Sequence, residues 1–318
     1  MLLRKALEGF KIDRQALGYS PNTVRIYLDC LSVLADYLGE VEISEINKDD
    51  LIRFLHYLRT EYKPKRFSGS EKPLSPATID NYWIAMRSFF KWAEETLEIE
   101  NISDGIPRPK FAPPEIIPLT KEEILEAIKA ATKKYVPPQG DKRGYTASLP
   151  NAQRNKAIIL LLLDTGMRLG ELTRLKRKDF DLETGTVTVR PFRSSRKSRP
   201  RHIPLGKVTR REVWKYIADI DDLRPDDPVF EISKSGIQSM LYRVKKRTGN
   251  DKIHAHRFRH TFAIQYLKNG GDIYTLQYFL GHSTLTMVKR YLYFADDDRR
   301  DAHRRASPAD RWLERKTK

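Results

Sequence analysis

The chain has 318 residues, with 59 Lys and Arg against 42 Asp and Glu, a formal net charge of +17, 40% hydrophobic residues and one cysteine, Cys30. At about 150 residues per domain this length predicts two domains, each able to bury a core, and the apolar fraction excludes wholesale disorder. One cysteine excludes an internal disulfide framework and a multi-cysteine zinc site and fits a reducing compartment, while the excess positive charge favours a polyanion, nucleic acid before an acidic membrane surface, over a solubilising coat.

The first stretch, MLLRKALEGFKIDRQ, is broken by charges and lacks the apolar segment of a signal peptide. The longest apolar run, Ala157 to Leu163, is far short of the ~20 residues of a spanning helix. A soluble, cytoplasmic protein without a membrane partner is expected. The N-terminal third reads as helical. Ser20 suits an N-cap and Pro21 the first helical turn, and Val24, Tyr27, Leu28, Leu31, Leu34, Ala35 and Leu38 follow at helical spacing before Gly39. Asn47 caps a second helix carrying Leu51, Phe54, Leu55 and Leu58. Ser75-Pro76-Ala77-Thr78 opens a third, with Ile79, Tyr82, Trp83, Met86, Phe89, Phe90 and Ala93 inward. The basic segment Lys63 to Pro73 reads as a loop.

Pro107, Pro109, Pro113, Pro114 and Pro118 form an extended connector, where the domain boundary is expected. Thr120 caps the next helix, KEEILEAIKAA. A polar insertion, about Lys134 to Arg154, precedes an apolar helix over Asn155 to Thr165, a turn at Gly166 and a helix over Leu169 to Arg174. Gly185 to Leu205 is expected to be the only β region, with Thr186 to Val189 alternating and Arg201 to Leu205 returning. The remainder reads as helical. The fold class is therefore mainly α: a helical domain over 1–110, then a mixed domain over 111–318, mostly α with a small antiparallel sheet and a C-terminal tail.

Several polar residues stand out. Arg168 follows the Gly166 turn with Glu171 one helical turn on; taken alone, the two are better explained as a surface ion pair. The hairpin from Arg190 to Arg201 holds six basic residues, Arg190, Arg193, Arg196, Lys197, Arg199 and Arg201, and no acid. Phosphate contact accounts for such a cluster better than a solvated loop does. His256 and Arg259 share a helix face. His256 and His260 have the spacing of a metal pair, but no HExxH glutamate accompanies them and the arginines would repel a cation, so no metal is expected. His282 sits at a helix junction, and Tyr291 and Tyr293 fit aromatic packing when taken alone. Together, two arginines, two histidines, a lysine and a tyrosine suit metal-free phosphoryl transfer. Guanidinium groups bind nonbridging oxygens, histidine relays a proton, lysine protonates a leaving oxygen, and a phenol attacks if a cationic pocket lowers its pKa from ~10.

Three ordered motifs carry a resemblance across nearly the whole chain: Thr165-Gly166-Met167-Arg168-Leu169-Gly170-Glu171-Leu172, His256-Arg257-Phe258-Arg259-His260-Thr261-Phe262-Ala263, and Leu280-Gly281-His282 with Tyr291 nine residues later. The chain thus resembles a tyrosine recombinase of the integrase and Xer type. The resemblance implies a SAM-like core-binding domain followed by a catalytic domain. Tyr291 would attack the scissile phosphate, form a 3′-phosphotyrosyl link and release a 5′-hydroxyl. Arg168 and Arg259 would hold nonbridging oxygens, His256 would do acid–base work, His282 would hydrogen-bond the phosphate, and Glu171 and His260 would support them. No cofactor, ATP or metal is implied. The partner is double-stranded DNA, with two exchanges through a Holliday junction within a protein tetramer in the nucleoid. The chain departs from the pattern at the hairpin lysine: seven residues before Ile203 stands Arg196, and Lys197, one residue late, is the candidate acid. Trp312 and Leu313 fit either an anchor for docking the tail on a neighbouring protomer or a solvated end. A topoisomerase IB-like or telomere-resolving enzyme, and a DNA-binding protein without activity, are the competing readings.

Overall fold

The computed structural model describes residues 1–64, 71–112, 115–139, 143–191, 200–295, 303 and 307–313. It divides into two compact units, Met1–Pro114 and Glu115–Lys318.

The first unit is all helical: α1 (Leu3–Ala16), α2 (Pro21–Leu38), a 3-10 turn at Ile43–Glu45, α3 (Lys48–Thr60) and α4 (Pro76–Leu97). Its starts follow from side-chain caps. Ser20 Oγ accepts the Thr23 N–H at 3.1 Å, Ser75 Oγ accepts the Thr78 N–H at 3.2 Å, and Asn47 Oδ1 accepts from Asp49 and Asp50. These bonds satisfy donors that a helix start otherwise leaves unpaired. α1 begins without one, at Leu2. Phe10, Phe54, Phe89 and Phe90 are fully buried, and Phe10 meets Phe89 edge to face at 5.5 Å between ring centres.

The second unit is mainly α. Its elements are α5 (Lys121–Thr132), β1 (Lys133–Val136), β2 (Tyr145–Ser148), α6 (Ala152–Thr165), α7 (Leu169–Leu172), β3 (Phe180–Asp181), β4 (Thr186–Val189), β5 (Arg201–Pro204), α8 (Lys207–Ala218), α9 (Lys234–Thr248), α10 (Ala255–Lys268), α11 (Ile273–Leu280), α12 (Thr286–Ala295) and α13 (Pro308–Leu313). The expectation of a single β region is corrected: the polar insertion contains an antiparallel hairpin, β1 with β2, in addition to the sheet β3-β4-β5. Residues on both faces of β1 are exposed, so it carries no apolar alternation to read. α6 is buried nearly all round through Ile158, Ile159, Leu161 and Leu162, and packs against α5, α8 and α10. α10 in turn carries α11 and α12. α6 and α10 thereby bring the ends of three sequence-distant segments together. No helix among the described residues is long and apolar enough to cross a membrane.

Candidate active site

The site forms where α6 ends, α10 begins and α11 ends. Gly166 closes α6 in the left-handed region at φ +58°, and a Cβ there would collide with Phe262 Cδ1. Only glycine turns the chain in that space. The Gly166 carbonyl accepts Arg259 Nη1 at 2.7 Å, and the Leu280 carbonyl, at the end of α11, accepts Arg259 Nη2 at 2.8 Å. Leu280 O also accepts Arg168 Nη1 at 3.4 Å. The two guanidinium groups therefore lie side by side over one backbone oxygen. Arg259 is buried while the Arg168 side chain is 43% exposed. Burial, then the like charge of Arg168, brings Arg259 down to about 10, which leaves it protonated at neutral pH.

Glu171 ties this pair to the sheet. Its Oε2 accepts the Arg168 backbone N–H at 2.8 Å and its Oε1 accepts Arg168 Nη1 at 3.3 Å. The same carboxylate takes a two-pronged contact from Arg201, Nη1 at 3.1 Å and Nη2 at 2.6 Å, while Arg201 Nε donates to Phe279 O at 2.7 Å. Burial works to raise the Glu171 carboxyl, but the hydrogen bonds and charge of Arg201, with those of Arg168, hold it below its ordinary value. Arg201 is among the residues expected to contact DNA. It is buried at the head of β5, on the same face as Ile203, and its donors are spent inside the protein. Strand alternation carried that signal: Arg201, Ile203 and Leu205 share one parity. Gly281, at φ +61°, lies against this guanidinium, and a Cβ there would meet Arg201 Nη1 at 3.1 Å.

Three histidines line the arginine pair. His282 Nε2 lies 2.7 Å from Arg259 Nη2. Arginine is only a donor, so Nε2 accepts and His282 is neutral with its proton on Nδ1. That Nδ1–H is buried and has no acceptor among the described residues. Burial and the charges of Arg259, Arg168 and Arg201 push His282 down to about 4. His260 Nδ1 lies 2.9 Å from Tyr291 Oη, and burial with Arg290, His256 and the neighbouring arginines takes His260 down to about 4. His256, exposed with its ring 6.4 Å from that of His260, is lowered by partial desolvation, Arg259, Arg168 and Lys234. It opens on a cavity of about 430 Å³ bordered by Lys234, Gln238, Tyr242, Lys245 and His254. The sequence reading missed this basic wall on α9; the Lys234, Gln238, Tyr242 and Lys245 spacing along one helix face was its signal.

Tyr291 sits on α12, buried in a cluster with Phe262, Leu276, Leu280 and Val288. Burial raises the phenol above its ordinary value, while the charges of Arg259, Arg290 and Arg168 act to lower it. Arg190 donates from Nε to Asp179 Oδ1 at 2.8 Å and keeps more than half of its side chain exposed. Lys197, Arg193, Arg196 and Arg199 lie outside the described residues, as does the side chain of Tyr293. Among the described residues no group of three or more His, Cys, Asp or Glu could hold a metal ion. The structure thus brings together Arg168, Glu171, His256, Arg259, His260, His282 and Tyr291, a cationic cradle around a phenol. Such a cradle can bind an oxyanion, stabilise charge growing on it and hold a nucleophile against it.

Comparison with known proteins identifies two matching family models: Phage integrase family over residues 117–297, and Phage integrase, N-terminal SAM-like domain over residues 7–100. Among curated relatives, tyrosine recombinase XerA of Saccharolobus solfataricus is 28% identical over 290 residues, 91% of this chain and 88% of the relative. Tyrosine recombinase XerC of Staphylococcus aureus is 25% identical over 314 residues, 95% of each chain. The fold is shared with a lambda integrase dimer bound to a COC′ core site (TM-score 0.67, 18% identity, 94% of this chain and 79% of that one). It is also shared with the Tn1549 transposon integrase in complex with circular intermediate DNA (TM-score 0.66, 20% identity, 96% and 98%).

Proposed function

From the premise that the chain belongs to the phage integrase family of tyrosine recombinases, enzymes of site-specific recombination that cleave and rejoin DNA, we propose the path by which its own residues do so. The phosphodiester enters the cradle with its nonbridging oxygens on the exposed side of Arg168 and on Arg259, and the orphan Nδ1–H of His282 donates to the same group. Burial is the main cause that holds the histidines down, and the arriving negative charge offsets the part that comes from the neighbouring cations. Tyr291 Oη attacks phosphorus in line, its proton passing to His260 Nδ1. The bond to O5′ breaks, and that oxygen leaves as a 5′-hydroxyl after protonation by Lys197 or, through the cavity beside it, His256. The 3′-phosphotyrosyl link conserves the bond energy, so rejoining is the same displacement run backward by a new 5′-hydroxyl, without ATP or metal.

The observation that carries this reading is the sharing of Leu280 O by Arg168 and Arg259, with His282 on the second arginine. The remaining steps belong to the same proposal: paired exchanges through a Holliday junction, on double-stranded DNA of the nucleoid, in an integrase or Xer-like role. A tetramer carries them out, with the exposed Trp312 of α13 as an apolar anchor for tail exchange.

The test is covalent capture. A pool of nicked duplexes with randomised sequence, incubated with the protein and denatured, should yield a protein–DNA adduct whose DNA identifies the target site. Tyr291→Phe should bind DNA and give none. An adduct that survives Tyr291→Phe and disappears in Tyr293→Phe overturns the assignment of the nucleophile; no adduct from any duplex leaves only DNA binding.

A further inference from the structure

Away from the cradle, the end of α5, the start of α6 and the second half of α9 enclose another cationic cavity. It measures about 140 Å³ and is bordered by Arg154, Arg243, Arg247, Asn151 and Asn155, with no carboxylate among its described lining residues. Three guanidinium groups around one small cavity repel each other unless an anion joins them. Two have internal contacts that leave donors over: Arg247 Nη1 donates to Ala130 O at 2.7 Å and Arg243 Nε to Ser239 O at 3.3 Å. Arg154 Nε is buried with no partner among the described residues.

Two further features point the same way. α6, 14 residues long, starts at this cavity with no side-chain cap from Asn151; the Ala152 N–H is taken by Leu149 O at 3.0 Å and the Asn155 N–H by Asn151 O at 2.9 Å, so the Gln153 and Arg154 N–H groups between them are the donors the α6 start offers. Asn155 is 7% exposed and donates from Nδ2 to Ala131 O at 3.0 Å, while its Oδ1 is buried and unpaired. A buried donor and a buried acceptor left open on one cavity wall match a ligand that offers both. Beyond Arg247 the surface continues as an open groove of about 710 Å³ under β1, with Lys129, Lys133 and Lys134 against Glu126.

We propose that this cavity binds a phosphate group distinct from the one in the cradle, and that the β1–β2 hairpin belongs to the same surface. Arg154 Nε, the guanidinium fork of Arg243 and the α6 start donate to its oxygens. Asn155 Oδ1 accepts from the O–H of hydrogen phosphate or from a water on a diester. The phosphate is either free or part of a DNA backbone led in along Lys129, Lys133 and Lys134. The DNA source rests on the function proposed above; the cavity's chemistry does not.

Thermal unfolding in inorganic phosphate against chloride, at matched ionic strength, tests the site. Phosphate should raise the midpoint by a few degrees in the wild type and in Arg168→Ala, which removes the cradle's contribution. It should raise it little in the Arg154→Gln/Arg243→Gln double variant. Arg154→Lys, which keeps the charge and loses the buried Nε donor, should lose most of the shift with an unaltered midpoint in chloride, separating ligand loss from misfolding. An equal phosphate shift in wild type and both variants overturns the proposal. The source is read from duplex binding against salt. A slope smaller by about 0.9 per lost contact in the double variant assigns the phosphate to DNA, and an unchanged slope with a lost thermal shift assigns it to free phosphate. Failure of the wild type to form any adduct would sink the proposed function and leave the phosphate shift standing.

Discussion

The interiors of the two units are built from different materials. The first unit is centred on aromatic rings: Phe10, Phe54, Phe89 and Phe90 are fully buried, and their contacts are non-directional. The second unit has an apolar core of its own around α6, yet places beside it two buried arginines and a buried glutamate, Arg201, Arg259 and Glu171. There donors are matched to particular acceptors: the Glu171 carboxylate, the carbonyls of Gly166, Phe279 and Leu280, and His282 Nε2. An aromatic core tolerates rearrangement that keeps its volume, whereas a buried charge tolerates none that removes its partner.

Substitutions probe that contrast. Arg201→Ala leaves Glu171 buried beside a single, looser partner and should cost about 3–5 kcal/mol in urea unfolding; a cost under about 1 kcal/mol would mean the ion pair is not a structural tie. Arg168→Ala, at the exposed end of the same network, should instead spare stability and lower adduct formation by about 10²–10³. Less than a threefold loss in a single-turnover assay would remove it from the phosphate clamp. Gly166→Ala forces a side chain into the left-handed region and against Phe262, for about 1–3 kcal/mol of strain, and should reduce cleavage as the carbonyl under Arg259 shifts.

Acidity sharpens the contrast further. His260 and His282 sit near 4 in the folded chain against an ordinary 6.5. Below pH 6.5 the unfolded chain takes up protons that the folded chain refuses. Their contribution is therefore complete above 6.5 and is lost as pH falls toward 4. Urea midpoints should drop between pH 7 and 5, and His282→Asn should flatten that limb. A midpoint independent of pH over this window would contradict the buried neutral state. The smallest effect belongs to the aromatic unit. Met86→Leu should cost less than about 1.5 kcal/mol and leave adduct yield unchanged, which denaturation and capture in parallel would check.

What the sequence disclosed follows the same division. Helices that open on Ser20, Asn47, Ser75 and Thr120 were legible because a side chain marks the first turn. α1 opens at Leu2 without such a mark, so only the helical spacing of Leu3, Ala6, Leu7 and Phe10 announces it, while β1 with β2 shows solvent on both faces and has no alternation to read. Within the site, Arg168, His256, Arg259, His282 and Tyr291 stood out by type and spacing. The inward turn of Arg201 was visible only in strand parity, and the basic character of its neighbours masked it. The bond between His260 and Tyr291 depends on how α10 meets α12, a packing angle that residue spacing does not encode.

The oxygens beneath Arg259 belong to the main chain, at Gly166 and Leu280. No codon change deletes a peptide carbonyl; it can only redirect the path that carries one. A saturation-mutagenesis map of this enzyme would therefore show intolerance at the arginines and at Gly166 and Gly281, the hinges of that path, and permissive behaviour at the residue supplying the shared oxygen as long as an apolar side chain of similar size remains there. Read without coordinates, such a map would assign the glycines to catalysis, when their contribution is to aim a carbonyl.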